Sequence, residues 1–187
     1  MAQSFLLERT DIEILRSLSD LIRLKFRPKQ MLPARIYEVM VRDIDRLLLS
    51  AEHRFLLAKL SEHIVAPVIF EKIWLVESRF GEVDSASLPF LPHIDLKRSI
   101  KVMVYLNDVE LKDGPMFIAK GVEPELFERR RRLMKQKGDN VISERLDYEP
   151  LVGQAGHAHI FDTNVPHYAG PLAQGGMRDV LRLDYVF

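Results

Sequence analysis

The periodicity of the apolar residues changes once along this chain, from a helical pattern to a strand pattern near residue 68. Before that point, apolar residues recur every three to four positions in three successive segments, which predicts helices. After it, short runs rich in β-branched and aromatic residues are separated by turn residues, which predicts strands. Helices followed by a series of strands exclude a βαβ alternation, so the sequence favours an α+β fold with a mainly β core.

The helical segments have sequence signals at their ends. The first is expected over residues 10–27, with Thr10 and Glu13 at capping-box spacing. The second is expected to start near Pro33 and to carry apolar residues from Ile36 to Leu48 on one face. The third is expected to run through Phe55 and to end before Pro67, and whether it continues the second is left open.

Strands are expected over residues 68–80, from about His93 to Asn107, and over residues 116–119, 157–162 and 178–186. A strongly basic helix is expected between two of these strands, over residues 124–137. We therefore expect a single domain over residues 1–187. In it, residues 1–67 form a helical support and residues 68–187 form the β core, with the basic insertion near residues 123–138. The strand number and spacing suit a barrel or a sandwich.

The composition excludes several classes of protein. The 187 residues include no cysteine, so disulfides, zinc–thiolate sites and cysteine nucleophiles are absent. Twenty-seven basic residues balance 27 acidic ones, which argues against a nucleic-acid partner. We expect no membrane partner, because no apolar run approaches the roughly 20 residues of a spanning helix. The N-terminus does not resemble a secretory signal, and a cytoplasmic location is expected.

One pair of residues at the start of the β region has the spacing of metal ligands. His93 and Asp95 lie two positions apart and would project from the same side of an extended strand. A distant histidine, His167, follows another expected strand, and the three together would form the two-histidine, one-carboxylate set that holds non-haem Fe(II). Two other readings stay open: His157 and His159 on one strand face form a rival metal pair, and His93 could simply hydrogen-bond to Asp95.

The spacing His93-x-Asp95, then His167 and, after ten intervening residues, Arg178, resembles the Fe(II)- and 2-oxoglutarate-dependent dioxygenases. The stretch from Val104 to Val109 followed by Asp113-Gly114-Pro115 is most similar to the phytanoyl-CoA dioxygenase family. The resemblance covers roughly residues 68–187. It implies a double-stranded β-helix, that is, a jelly-roll or cupin-like barrel, flanked here by the N-terminal helices.

The resemblance also implies an activity. His93, Asp95 and His167 are the expected catalytic ligands of Fe(II), with 2-oxoglutarate and O2 as co-substrates. Arg178 is the expected partner of the far carboxylate of 2-oxoglutarate, and a tight hairpin at Gly170-Pro171 and Gly175-Gly176 would return it close to His167. The expected reaction is hydroxylation of an unactivated C–H bond of a small molecule, with release of succinate and CO2.

Other residues are weaker candidates. Lys101, Tyr105 and Asn107 share one strand face and are expected either to line the co-substrate pocket or to have structural roles, while Trp74 is expected in the core. The run from Arg129 to Arg132 is expected to form a solvated helix face or to attract an anionic substrate. Two alternative functions remain: a prolyl-hydroxylase-like enzyme acting on a peptide or a free amino acid, and a non-catalytic cupin-like metal-binding protein.

Overall fold

Two antiparallel sheets dominate the part of the chain that the computed structural model describes, residues 2–31, 34–81, 90–137 and 140–187. The strands in chain order are β1 (Gln3–Leu6), β2 (Lys29–Met31), β3 (Ala34–Met40), β4 (Ile69–Arg79), β5 (Ser99–Tyr105), β6 (Met116–Ala119), β7 (Tyr148–Leu151), β8 (His157–Asp162), β9 (His167–Ala169) and β10 (Met177–Val186). The larger sheet has the order β1-β8-β5-β10-β4-β3-β2, and the smaller has the order β7-β6-β9.

Three α-helices accompany the sheets within these residues: α1 (Arg9–Lys25), α2 (Ala51–Glu62) and α3 (Pro124–Lys137). Short 3-10 helices, Val41–Leu47 and Leu111–Asp113, complete the regular structure. The first and third predicted helices are confirmed as α1 and α2. Ser50 separates α2 from the preceding segment, because its hydroxyl caps the helix by accepting a hydrogen bond from the backbone N–H of His53.

The larger sheet buries one face against α1 and α2. Alternate residues of the central strands point towards the helices, among them Val102 and Val104 of β5 and Leu181 and Leu183 of β10. They pack with apolar helix residues that are completely buried: Leu15, Leu18, Ile22, Leu56 and Leu60. This cluster accounts for the apolar periodicity of the two helices, which face the core with one side.

The opposite face of the larger sheet packs on the smaller sheet. Met103 and Tyr105 of β5, together with Val180 of β10, form a second buried cluster with Ile118 of β6 and Leu151 of β7. Each central strand is therefore covered on both faces, and the candidate residues Lys101 of β5 and Arg178 of β10 lie on the face that meets the smaller sheet. The closure of the two sheets into a barrel stays a prediction.

The second predicted helix is wrong. Residues 34–40 form strand β3, paired with β4, and a 3-10 helix follows; Pro33, where the helix was expected to begin, lies outside the described residues. Both faces of β3 are covered, since Tyr37 and Val39 contact the helix-side cluster while Ile36 lines a cavity on the other side. Apolar residues on both faces imitate a helical repeat, which explains the misassignment.

Residues 1–67, predicted as a helical support, contain α1 and α2 but are not helical throughout their described part. This segment contributes three strands to the larger sheet, with β1 on β8 at one edge and β2 and β3 beyond β4 at the other. The capping box at Thr10 and Glu13 does not form, because α1 already begins at Arg9. Within the described ranges, no helix is both long and apolar enough to cross a lipid bilayer.

Candidate functional site

Three metal-binding side chains meet between the two sheets. The ligand atoms of His93, Asp95 and His167 all lie within 4.8 Å of one another. Oδ1 of Asp95 is 3.7 Å from Nε2 of His93 and 3.6 Å from Nε2 of His167. The structure therefore brings together the three residues that the sequence singled out.

The two histidines are held in the form that a metal requires. Nδ1 of His93 donates a hydrogen bond to the carbonyl of Leu91 at 2.7 Å, and Nδ1 of His167 donates one to the carbonyl of Val165 at 2.8 Å. A proton on Nδ1 leaves the lone pair of Nε2 free in a neutral ring. Burial and the neighbouring His167 lower the pKa of His93 to about 4, so the ring is uncharged at neutral pH.

Backbone hydrogen bonds fix the segment that carries His93 and Asp95. The amide of Asp95 donates to the carbonyl of Thr163 at 3.1 Å. Asn140 accepts from the amide of Ile94 through its backbone carbonyl and donates from its side chain to the carbonyl of Ile94. The predicted continuous strand from His93 is wrong, since His93 forms only isolated bridges and β5 begins at Ser99. The alternation nevertheless holds locally: Ile94 is fully buried while His93 and Asp95 face a cavity.

The carboxylate of Asp95 contacts a lysine as well as the two histidines. Burial by itself would raise the pKa of Asp95, but the ammonium of Lys101 and the contact with His167 outweigh it and hold the pKa well below 3.8. Nζ of Lys101 lies 2.7 Å from Oδ2 of Asp95, whereas the contacts of the histidines are with Oδ1. The carboxylate is therefore ionised and has one oxygen directed to each kind of partner.

A cavity of about 470 Å³ opens beside the three ligands, and Arg178 lies in its wall. Four other cations of the wall are each paired with a carboxylate: Lys72 with Glu38, Lys97 with Glu71, Lys101 with Asp95 and Arg182 with Asp184. Arg178 has no such partner among the described residues, and its Nη1 is buried without a hydrogen bond. Burial lowers its pKa. An unpaired guanidinium in a buried wall is suited to receiving the carboxylate of a ligand.

The connection between His167 and Arg178 differs from the predicted hairpin. Strands β9 and β10 belong to different sheets, so the chain crosses from the smaller to the larger sheet between them. The crossing is anchored on the turn before β6, where the amide of Ala173 donates to the carbonyl of Lys112 and the amide of Met177 donates to Asp113. Gly114 permits the close approach, because a Cβ there would lie 2.4 Å from the carbonyl oxygen of Gly170.

Tyr105 and Asn107 do not line the cavity, in contrast to Lys101, which does. The hydroxyl of Tyr105 donates to the carbonyl of Leu151, and burial raises the pKa of Tyr105 to about 12. The side chain of Asn107 donates to the carbonyl of Met177 at 3.1 Å and accepts from the amide of Asp179 at 2.7 Å. Asn107 thus holds the backbone on both sides of Arg178.

Trp74 lies in the cavity wall rather than in the core where it was expected. Its Nε1 donates to Glu38 at 3.0 Å, and the guanidinium of Arg182 lies 4.0 Å from the centre of its ring. The wall nearby also includes apolar residues from three strands and two loops: Met31, Ile36, Val76, Phe90 and Leu172. Sequence reasoning missed this wall, because its members come from segments far apart in the chain.

The rival pair, His157 and His159, has no third metal ligand among the described residues. Their rings stack nearly in parallel, with centroids 4.8 Å apart, and Nδ1 of His159 is hydrogen-bonded to Ser4 of β1. Burial lowers the pKa of His159 to about 4. This pair therefore packs at the sheet edge, where it contacts β1.

The basic helix α3 pairs its described arginines with carboxylates. Arg130 contacts Glu144, while Arg131 and Arg132 both contact Glu128. Arg131 also donates to the carbonyl of Leu96, next to the ligand Asp95. None of these three arginines lines the cavity. The side chain of Arg129 lies outside the described residues, and so does Gly138, where the basic insertion was expected to end.

Comparison with models of known protein families and with curated protein sequences gives no match. Comparison with solved structures gives matches. The non-heme alpha-ketoglutarate-dependent epimerase SnoN from nogalamycin biosynthesis has a TM-score of 0.64 at 16% identity, over 99% of this chain and 77% of SnoN. The carbocyclase SnoK, from the same biosynthesis, has a TM-score of 0.63 at 12% identity, over 99% of this chain and 79% of its own.

HygX from Streptomyces hygroscopicus, solved with nickel, 2-oxoglutarate and hygromycin B, is similar with a TM-score of 0.59 at 13% identity, over 99% of this chain and 82% of HygX. A second structure of SnoN holds Fe3+, alpha-ketoglutarate and nogalamycin RO. The chain therefore has the fold of non-heme 2-oxoglutarate-dependent enzymes, two of which, HygX and SnoN, were crystallised with a metal and 2-oxoglutarate. Within that fold it has a His-Asp-His metal site.

Proposed function

We propose that this protein is an Fe(II)- and 2-oxoglutarate-dependent oxygenase that hydroxylates a C–H bond of a small molecule. The observation that carries the proposal is the combination of the His93, Asp95 and His167 group, of which His93 and Asp95 line the cavity, with the unpaired guanidinium of Arg178 in the wall of the same cavity. A metal alone needs only the three ligands, whereas a co-substrate that carries a carboxylate also needs the guanidinium. Structural neighbours that hold iron or nickel together with 2-oxoglutarate support the same pairing.

The donor set fits a non-haem iron. Two neutral imidazoles and one carboxylate are the ligands of such Fe(II) sites, and they leave other positions of the metal open. Nε2 of His167 is buried without a hydrogen-bond partner in the protein, which is a costly state for a polar atom unless a ligand occupies it. When bound, the iron would supply the activation of O2, which is coupled to the oxidative decarboxylation of the 2-oxo acid to succinate and CO2.

The protein residues have separate tasks around that centre. The fork of Arg178 would bind the far carboxylate of 2-oxoglutarate with two parallel hydrogen bonds. Asn107 would keep that fork in place, because it holds the backbone of both neighbours of Arg178. The apolar part of the cavity wall would exclude water and accept the carbon skeleton of the substrate. Its residues are Met31, Ile36, Val76, Phe90 and Leu172.

The size of the cavity supports a small-molecule substrate. About 470 Å³ falls in the range of roughly 300 to 1,000 Å³ that is common for small-ligand sites. The neighbours HygX and SnoN were solved with hygromycin B and nogalamycin RO, which are small molecules as well. The resemblance of residues 104–115 to the phytanoyl-CoA dioxygenase family agrees with a small-molecule substrate. We propose separately that the protein acts in the cytoplasm.

Anaerobic spectroscopy tests the proposal directly. Addition of Fe(II) and 2-oxoglutarate to the protein should produce the weak visible charge-transfer band of the chelate, and Arg178→Ala should lose it at the same co-substrate concentration. A protein that binds the metal but never develops the band would contradict the proposal and leave the alternative of a non-catalytic metal-binding protein.

The neighbours favour a second type of outcome, because SnoN is an epimerase and SnoK a carbocyclase. Once a panel of candidate substrates yields one that releases succinate, the mass of the product separates the reactions. A gain of one oxygen atom indicates hydroxylation, an unchanged mass indicates epimerisation, and the loss of two hydrogen atoms indicates ring closure. A prolyl-hydroxylase-like activity would require proline or a proline-containing peptide to be the member of the panel that responds.

A further inference from the structure

The carboxylate of Asp95 lies between the two histidines and a lysine that the proposed chemistry does not require. Its Oδ1 faces Nε2 of His93 and of His167, at 3.7 and 3.6 Å, and its Oδ2 faces Nζ of Lys101 at 2.7 Å. Each oxygen thus has its own kind of partner. A bound metal would take the place among the nitrogens, while Lys101 would keep the other oxygen.

Lys101 is placed for this contact by the sheet. It occupies the middle of β5, with Asp184 of β10 beside it on one side and Phe161 of β8 on the other. Only 6% of the residue is exposed, and lysine is almost never buried to this degree unless it is paired. Asp184 is already engaged by both ends of the guanidinium of Arg182. Asp95 is therefore the carboxylate left for Lys101 among the residues described.

The cost of burying an ammonium indicates a role beyond stability. A buried ion pair contributes little net stability compared with apolar residues of the same volume, since both ions lose their hydration. The next residue on this strand face is Met103, which packs in the apolar cluster between the sheets. A methionine at position 101 would fill similar space without that cost, so the lysine must be explained by what it does to Asp95.

We propose that Lys101 is a positioning residue that restricts Asp95 to binding the metal through Oδ1 alone. With Oδ2 held by the ammonium, the carboxylate cannot take a second position on the metal, and that position stays open for the 2-oxo acid. The inference rests on the proposed function. It assigns Lys101 no contact with the co-substrate and no part in proton transfer.

Two binding measurements on Lys101→Met test the inference separately from the proposed function. The first titrates the protein with Mn(II) alone by calorimetry, and the second titrates the anaerobic Fe(II) protein with 2-oxoglutarate and follows the visible band. We expect Mn(II) to bind Lys101→Met about as well as wild type, because all three donors remain. We expect the dissociation constant for 2-oxoglutarate to rise about tenfold, which corresponds to about 1.4 kcal/mol, and the band to shift, because the released Oδ2 of Asp95 would compete for the position of the 2-oxo acid.

Lys97→Met is the matched control, because Lys97 lies in the wall of the same cavity but pairs with Glu71. It removes the same charge from the same cavity and should leave both constants unchanged. If Lys97→Met weakens 2-oxoglutarate binding as much as Lys101→Met does, the effect is one of charge in general and the inference is overturned. It is also overturned if Lys101→Met binds 2-oxoglutarate as tightly as wild type.

The absence of cysteine from the chain allows a rescue at the same position. Lys101→Cys can be alkylated while unfolded, with 2-bromoethylamine to restore an ammonium or with iodoacetamide to give a neutral side chain, and then refolded beside wild type. The aminoethylated protein should recover 2-oxoglutarate binding and the original band, and the neutral one should not. Equal behaviour of the two would contradict the inference. Failure of wild type to bind metal or 2-oxoglutarate would instead contradict the proposed function.

Discussion

The backbones of His93 and His167 hydrogen-bond to each other in both directions: each amide donates to the carbonyl of the other residue, at 3.0 and 2.9 Å. Two residues 74 positions apart in sequence are thereby locked side by side, with ring centroids 4.5 Å apart. The bridge adds one residue, His93, to the smaller sheet on the free side of its edge strand β9. The relative position of the two imidazoles therefore depends on the sheet and not on a flexible loop.

We expect Mn(II) to stabilise this protein against heat, and His167→Ala to abolish that effect. A ligand that binds only the folded state stabilises it by about 2.7 kcal/mol at a hundred times its dissociation constant. Thermal unfolding with and without Mn(II) measures the shift. His159→Ala is the control, since His159 is buried like His167 but lies outside the ligand group. It should lower the unfolding temperature yet keep the Mn(II)-dependent shift, and loss of the shift would favour the rival histidine pair.

Arg178→Lys should weaken 2-oxoglutarate binding although the positive charge is retained. Lysine cannot form the two parallel hydrogen bonds of a guanidinium, and one lost charge-assisted bond of about 1.5 kcal/mol corresponds to roughly tenfold in affinity. Arg182→Lys, four residues further along the same strand, is the matched control, because Arg182 is bound to Asp184. Titration of both variants with 2-oxoglutarate should separate them. Equal weakening in the two would show that the co-substrate does not depend on Arg178 in particular.

Asn107→Ala should lower the affinity for 2-oxoglutarate without removing any group from the cavity. The variant loses the hydrogen bonds to Met177 and Asp179 that flank Arg178, at a cost of about 1 kcal/mol each. Asn107→Asp keeps the acceptor for Asp179 and loses the donor to Met177, so its affinity should lie between those of wild type and Asn107→Ala. Chemical denaturation measures the stability loss alongside. Unaltered affinity in Asn107→Ala would show that Arg178 is held without Asn107.

Glu38 should make the stability of the protein depend on pH in the acid range. Burial favours its protonated form, but hydrogen bonds from Lys29, Lys72 and Trp74 outweigh this and lower its pKa from 4.5 to about 2. Because the folded-state pKa is the lower one, the stabilisation is fully present above pH 4.5 and is lost as the pH falls towards 2.

The measurement is the free energy of unfolding in urea for wild type and Glu38→Gln at a series of pH values. The difference between them should be about 1 to 2 kcal/mol at neutral pH and should shrink below pH 4.5. Glu13→Gln is the control, because Glu13 is exposed on α1 and lies 3.6 Å from Arg9. It should change the stability little at any pH. A difference for Glu38→Gln that stays constant down to the lowest pH would contradict the assignment.

The sequence alone was sufficient to predict which three side chains the structure brings together. His93 and Asp95 have the spacing of alternating strand residues, and the ten residues between His167 and Arg178 fit the family resemblance. The sequence was insufficient where both faces of an element are covered. Strand β3 was misassigned as a helix for that reason, since Ile36 faces the cavity while Tyr37 faces α1 and α2. Local patterns predict one buried face, and they fail where the tertiary structure covers two.

The contacts that define the site chemically were also beyond the reach of the sequence. Lys101 was a candidate for the pocket, but only the pairing of β5 with β8 and β10 places its ammonium on Asp95. Asn107 was expected in the pocket and instead supports Arg178 from outside. The predicted hairpin before Arg178 is a crossing between sheets, because Gly170 packs on the turn at Gly114 rather than on β10. Such long-range contacts leave no periodic signal.

The most direct measurement is a crystal structure of the protein grown with Mn(II) and 2-oxoglutarate in the absence of substrate. We expect the metal on Nε2 of His93, Nε2 of His167 and Oδ1 of Asp95, with Oδ2 still on Lys101 and the far carboxylate of 2-oxoglutarate on the guanidinium of Arg178. A metal bound at His157 and His159, or a co-substrate that leaves Arg178 without a partner, would contradict this expectation.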